Sequence, residues 1–304
     1  GVLWTLPMPT VGGNESLVYY NRDLLGEVGL NPDALPETWK DLEELARRVN
    51  RTDGNVITRL GFDVATFNRF NAMLYANAGN FLDPTLRKVA FNGPEGLEAL
   101  TWMFNYTHEY NGGYAALEEF ITGGGITRRF MEGRVAGVFG GIAQFSRYRD
   151  AGINVALGLI PYNDENPAAT FRGVSGRLFG WGYVIPRHVP EEKRDAAFTF
   201  IKFLTTDLEG GCRFLQAQAR PSPLRHCNAD PIYREVNPYW HVIGQALELD
   251  VPFPITPVHD DIDRPFDRAF LNVMRGIATP EGALEELARH AQAILDAYWS
   301  EVDR

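Results

Sequence analysis

The stretch FRGVSGRLFGWGYVIP, residues 171–186, constrains this chain more than any other. Three glycines, Gly173, Gly176 and Gly180, lead to Trp181 and then to the apolar, β-branched run Tyr183-Val184-Ile185, closed by Pro186. Glycine lets a backbone approach a ligand closely and adopt positive φ. The pattern therefore predicts a ligand-facing turn feeding a buried strand. The competing expectation is an ordinary β-turn ahead of a core strand.

A chain of 304 residues has room for two domains of ordinary size or one large one. Hydrophobic content of 45% and charged content of 22% are those of a globular protein. No run of eighteen apolar residues appears, so no membrane-spanning helix is expected. No signal-peptide pattern opens the sequence, and Gly1 reads as a cut end rather than a natural start. The net charge of −10 and the lack of long Lys/Arg runs argue against a nucleic-acid partner. Two cysteines, Cys212 and Cys227, sit fifteen apart, with His226 beside the second. Their spacing fits a disulfide of an extracytoplasmic protein or two buried thiols, and matches no zinc-ligand pattern. Six Trp and twelve Tyr supply flat apolar faces with polar handles, suited to sugar binding or to a large core.

Along the chain, Leu17–Tyr20 reads as a strand, followed by a short helix that Gly29 ends. Thr38 caps a helix with Asp41 at its third position; Trp39, Leu42, Leu45, Ala46 and Val49 share its inner face. Glu43–Arg47 and Glu44–Arg48 are i,i+4 pairs on the outer face. A helix carrying Asn68, Arg69 and Asn71 runs toward Gly79, and another covers 94–108. A strand over Val135–Phe139 leads through Gly140-Gly141 into a helix bearing Gln144, Phe145 and Tyr148, and residues 153–160 form a further strand. The 191–206 helix should turn Ala197, Phe200, Ile201 and Leu204 inward. Residues 220–238 should be loop with brief helix, and the Pro-rich segment 251–265 holds the run His259–Arg264. Two helices close the chain, the second capped by Thr279 with Pro280 at its first position. Strands and helices without a repeat give an α/β class.

Several of these stretches together resemble one family. YYNRDLLGEVGL with Pro36-Glu37-Thr38-Trp39, FMEGRVAGVFGG at 130–141 and LFGWGYVIP at 178–186 are similar to the extracellular solute-binding proteins (family 1) of bacterial ABC sugar importers. AAFTFIKFLT at 196–205, RPSPLR at 220–225 and TPEGALEELARHAQAIL at 279–295 continue the resemblance in the family's order. The resemblance implies a two-lobed periplasmic-binding-protein (type II) fold. In that family a substantial stretch precedes the Leu-Pro strand, whereas Leu6-Pro7 lies near the start here. The expectation is a complete C-terminal lobe from 10–175 and 250–304, and a remnant of the N-terminal lobe and hinge from 1–9 and 176–249.

Matching to the family's motifs places Gly180 and Trp181 at the hinge. It sets Gly141, Gln144 and Phe145 at the start of a ligand-facing helix, with Asn68, Arg69 and Asn71 before Gly79. Asp261, Asp263 and Arg264 fall on the loop returning to the second lobe. Arginine forks, amides, carboxylates and aromatic faces are the groups sugar hydroxyls and ring faces require. Each has a plainer reading: Trp181 and Phe145 as core, Asn71 and Gln144 as solvated helix positions, and Asp260, Asp261 and Asp263 with His259 as a solvated acidic loop or a cation site. Where malto-oligosaccharide-binding relatives carry tryptophans, this chain has Ala143 and Phe145.

The resemblance thus implies a non-enzymatic, monomeric importer subunit, outside the cytoplasm, that captures a sugar or polyol between two lobes. Its partner would be an ABC permease, and it would meet the membrane through that permease or a lipid anchor. No catalytic residue, metal or cofactor is assigned. A carbohydrate-active hydrolase would need two carboxyl groups flanking one bond, and no such pair is defensible from the sequence; a non-catalytic interaction module is the third reading.

Overall fold

The computed structural model describes residues 5–7, 17–65, 67–171, 174–175 and 182–304. Its strands are β1 (Leu6–Pro7), β2 (Leu17–Asn21), β3 (Arg51–Asp53), β4 (Val56–Arg59), β5 (Gly137–Gly140), β6 (Val155–Leu159), β7 (Val174–Ser175), β8 (Gly182–Tyr183) and β9 (Val251–Pro252). Most of the remaining described residues are helical.

Strand β2 is apolar from Leu17 to Tyr20 and no residue of it is exposed. A strand buried on both faces must pair along both edges, because unpaired N–H and C=O groups away from water are costly. It does so: β2 is the centre of the antiparallel order β5-β2-β6, with Leu17 opposite Gly140 on one side and Leu159 on the other. Residues 60–61 extend the sheet past β5: the Ala136 N–H donates to the Leu60 carbonyl at 2.9 Å, and the Gly137 N–H to Gly61 at 2.8 Å.

Helices cover the sheet. The helix Trp39–Val49 begins at a complete capping box, in which the Thr38 hydroxyl accepts from the Asp41 N–H and the Asp41 carboxylate accepts from the Thr38 N–H. Its buried residues are Trp39, Leu42, Leu45, Ala46 and Val49, as the periodicity requires. Glu43–Arg47 and Glu44–Arg48 pair on its outer face. Gly29, at φ +73°, ends the preceding helix Arg22–Glu27 in the left-handed conformation that glycine adopts without strain.

The C-terminal helix Pro280–Val302 returns to the helix Pro94–Glu109 and the loop before it. Arg87 makes a two-pronged ion pair with Asp303, and the Trp299 indole donates to the Leu86 carbonyl at 2.9 Å. Thr279 caps this helix through the Gly282 N–H. Phe81, Phe91, Phe253 and Phe266 pack edge and tilt with centroids 4.8–5.4 Å apart. The same buried cluster includes Tyr233, Trp240, Val242 and Ile243.

Three sequence expectations are corrected. Residues 259–263, expected as loop, form a short helix, His259–Asp263, held by Ile262 in the core. The run 183–185 was expected to be a buried strand. Only Gly182–Tyr183 is strand, in a sheet that among the described residues has β1 as its one other strand, and Val184 is 60% exposed. The helix Glu191–Thr206 exists, but Phe200 is 60% exposed rather than packed inward. Phe198 and Phe203 are exposed with it, and Thr205 is the helix's one buried residue. Among the described residues this helix meets chiefly β1 and the π-helical turn Leu208–Arg213 that follows, so its apolar side is left open.

Two substitutions check this account by chemical denaturation. Thr38→Ala removes one half of the capping box and is expected to cost about 1 kcal/mol. Phe200→Ser changes an uncovered ring and should move stability by less than about 0.5 kcal/mol. A loss of several kcal/mol there would mean that the ring is packed.

Candidate ligand-binding site

The best-supported constellation forms where β5 ends. Gly140 lies beside the Tyr19 ring so closely that a Cβ would come within 2.8 Å of two ring atoms. Only glycine fits there without displacing that tyrosine. The Tyr19 hydroxyl in turn donates to the carbonyl of Gly141 at 2.9 Å and meets that of Ile142 at 3.3 Å. Burial raises the Tyr19 phenol far above its usual pKa, so it stays a neutral donor. Its edge packs on Tyr148, with centroids 5.1 Å apart. Strand β2 therefore pins the turn that launches the helix Gln144–Asp150.

Within that turn the Gln144 N–H donates to the Gly141 carbonyl at 3.1 Å. Gly141 is buried, Gln144 is half-buried and Ala143 is exposed. Phe145 is buried, edge-on to Tyr239 at 6.0 Å, with the Arg149 guanidinium 5.9 Å from its ring centre. It belongs to the core and supports the turn from below.

The helix Phe67–Ala76 brings a second side to this place. Arg69 lays its guanidinium 4.4 Å from the centre of the Phe139 ring, one residue before Gly140, and Phe139 itself rests on Phe62 at 4.9 Å. Cation–π contact of this kind holds an arginine in place. Asp63 lies nearby, buried, with its Oδ1 accepting from the Ala65 N–H at 2.8 Å. Burial pushes its carboxyl above the ordinary carboxylate range, against the pull of that N–H and of the positive Arg69. Asn71 is fully buried in the same helix, and neither polar atom of its amide has a hydrogen-bond partner among the described residues.

The structure thus brings Arg69, Gly141, Gln144 and Phe145 to one end of the sheet through Phe139 and Tyr19. Asp261 and Arg264 face a groove whose lining includes no residue of that turn. They form an exposed pair at 3.2 Å and line this groove, of about 920 Å³, along the helices Phe266–Met274 and Pro280–Val302, with Arg268, Glu286 and His290. Asp263 ends the short helix beside them. Gly180 and Trp181 lie outside the described residues, as does the side chain of Asn68. Sequence reasoning passed over Tyr19, Asp63 and Phe139. Asp63 left a signal, being a lone acid in the apolar run Leu60–Ala65. Tyr19 and Phe139 left none beyond their strand pattern.

The disposition of Asp63 predicts a pH effect. Its native pKa is raised above the unfolded one, so the folded state holds the proton more tightly. Its contribution to stability is then greatest below the unfolded value, near about 4, and is lost as pH rises toward the native value. Asp63→Asn, which keeps the acceptor for Ala65, is expected to flatten that fall. Denaturation at a series of pH values above 4 measures it, and an unchanged profile would show that Asp63 is charged and well paired.

Residues 6–231 match the family model described as bacterial extracellular solute-binding protein. The sn-glycerol-3-phosphate-binding periplasmic protein UgpB of Escherichia coli K12 is 22% identical over 170 residues, 54% of this chain and 38% of its own length. The chain's match therefore spans well under half of that curated relative. Among solved structures, an ABC transporter solute-binding protein of Thermotoga lettingae bound with α-D-tagatose is similar with a TM-score of 0.78 and 24% identity, over 96% of this chain and 72% of that one. An ABC substrate-binding protein of Listeria monocytogenes in complex with cycloalternan gives 0.78 and 20%, with the same coverage. A maltose-bound protein of T. maritima gives 0.76 and 20%, over 96% and 72%. These likenesses establish the two-lobed α/β fold of periplasmic binding proteins, and among the described residues no helix is long and apolar enough to cross a membrane. With its family model matched over most of its length, this chain belongs to the bacterial extracellular solute-binding proteins.

Proposed function

We propose that this chain is part of the substrate-binding subunit of an ABC importer, taking a sugar or polyol between two lobes and passing it to a membrane permease. The observation that carries the reading is the convergence of Arg69 and the Gly140–Gln144 turn at one end of a rigid sheet, in a member of this family. The fold neighbours were solved with tagatose, cycloalternan and maltose, which favours a carbohydrate ligand. The UgpB relatives favour keeping a phosphorylated polyol in view, and a guanidinium suits either ligand.

In this reading the ligand-holding lobe comprises residues 10–175 and 250–304, and residues 1–9 and 176–249 supply the other lobe and hinge, although within them the helix Trp240–Leu249 packs on β6 of the first lobe. Asn68, Arg69, Gly141 and Gln144 meet the ligand from the first lobe, with Asn71, fully buried, behind them. Gly180 and Trp181 meet it at the hinge, and Asp261, Asp263 and Arg264 border the return path. Ligand contacts to both lobes favour the closed form over the open one, and the closed form docks on the permease. The reading makes the chain a monomeric binder without turnover, working outside the cytoplasm. The uncovered Phe198, Phe200 and Phe203 fit a surface that further parts of the fold pack upon, since the neighbours extend beyond the 72% matched here. By itself the 304-residue chain is then expected to bind weakly.

Calorimetric titration of the full-length protein with a panel of sugars and phosphorylated polyols tests this. One equivalent of one ligand class should bind, and no product should form. Arg69→Ala should weaken that binding by at least about tenfold, or 1.4 kcal/mol, and Trp181→Ala by about 1 kcal/mol or more. Turnover of an oligosaccharide, or binding indifferent to both changes, would overturn the reading.

A further inference from the structure

Cys212 and Cys227 are joined by a disulfide that ties the π-helical turn Leu208–Arg213 to the short helix Arg225–Asn228. Both sulfurs are buried, while His226 is exposed and sets its Nε2 3.9 Å from one sulfur and 3.7 Å from the other. Two atoms bound tetrahedrally to one zinc ion, a thiolate at about 2.3 Å and an imidazole at about 2.0–2.1 Å, stand roughly 3.6 Å apart. The imidazole nitrogen therefore already lies near the separation a shared ion would impose on both cysteines. Nor does the frame around these residues rest on the disulfide. The Ser222 hydroxyl donates to the Gly211 carbonyl at 2.8 Å, and its N–H to the Asn228 side chain at 2.7 Å. The Tyr233 hydroxyl holds the Arg220 carbonyl at 2.8 Å, and the Trp240 indole holds that of Asn228 at 2.9 Å.

We propose that reduction converts this cluster into a zinc site with Cys212, Cys227 and His226 as ligands and a fourth position open to solvent beside the exposed histidine. A dithiol reductant attacks one sulfur, forms a mixed disulfide and resolves it with its second thiol. The products are two cysteine thiols and an oxidised dithiol, so electrons and protons balance. Zinc then takes two thiolates and the neutral Nε2, and two protons leave. The oxidised chain has no thiolate to offer, so metal uptake follows the redox state of the bond. This inference stands independently of the ligand proposed above.

Cobalt(II) serves as the visible probe and zinc as its competitor, with a phosphine reductant that leaves no thiol behind. The reduced 304-residue chain should bind one cobalt per molecule with a thiolate-to-metal charge-transfer band that zinc displaces, and the oxidised chain should show none. His226→Ala, a surface change that leaves the disulfide intact, should weaken uptake at least tenfold after reduction, and Cys212→Ser should abolish the two-thiolate band. Equal binding by the oxidised chain would overturn the proposal, as would a folded reduced chain without the band or an undiminished band in His226→Ala. Loss of the native circular dichroism on reduction would also overturn it, because the frame is held to survive the open bond.

Discussion

Everything in this molecule depends on β2, a strand that can be exposed on neither face nor edge. A buried segment of this kind has its backbone donors and acceptors satisfied by two flanking strands, and here they come from sequence positions more than a hundred residues away. The register is fixed because a slip by one residue would exchange the faces of Tyr19 and Tyr20. Each tyrosine then spends its hydroxyl on a distant carbonyl, Tyr19 on Gly141 and Tyr20 on Pro36. Pairing, packing and capping of the following turn are one requirement expressed three times.

The proposed site inherits its rigidity from that arrangement. Gly140 admits the Tyr19 ring, Tyr19 holds the Gly141 carbonyl, and Phe139 seats Arg69. The ligand-facing atoms would be main-chain groups, one guanidinium and one amide, each positioned by a buried aromatic behind it. A site built this way needs little ordering when it is filled, which is how a binding protein keeps its affinity. The buried Asp63 works in the opposite sense for stability, and carboxyls whose pKa is shifted by burial concentrate near functional positions.

Local rules made much of the fold legible. Thr38 with Asp41 announces a helix start, the spacing from Trp39 to Val49 gives its inner face, and Thr279-Pro280 opens the last helix. Periodicity failed at Phe200: it shares an apolar stripe with Ile201 and Leu204, which are half-buried, yet it is itself 60% exposed. The 259–263 helix was hidden by flanking prolines, because a single buried Ile262 supplies its anchor. Cysteine spacing left the disulfide open, since only folding brings the two Cα atoms to 5.2 Å. At the site, glycines and amides drew notice by their motif. Tyr19 and Phe139 act through contacts across strands, which no linear pattern records. Motif order sets Asp261 and Arg264 on the loop returning to the second lobe, and in the structure they line the groove beside the terminal helices.

The claim at the centre is that the end of β5, with Arg69 above it, is where solute is held. A crystal structure of the full-length protein with its bound solute tests this most directly. The account predicts ligand atoms within hydrogen-bond distance of the Arg69 guanidinium and of the Gly141–Gln144 turn. A solute seated instead in the groove lined by Arg264, Arg268 and His290, with the β5 turn untouched, would contradict it.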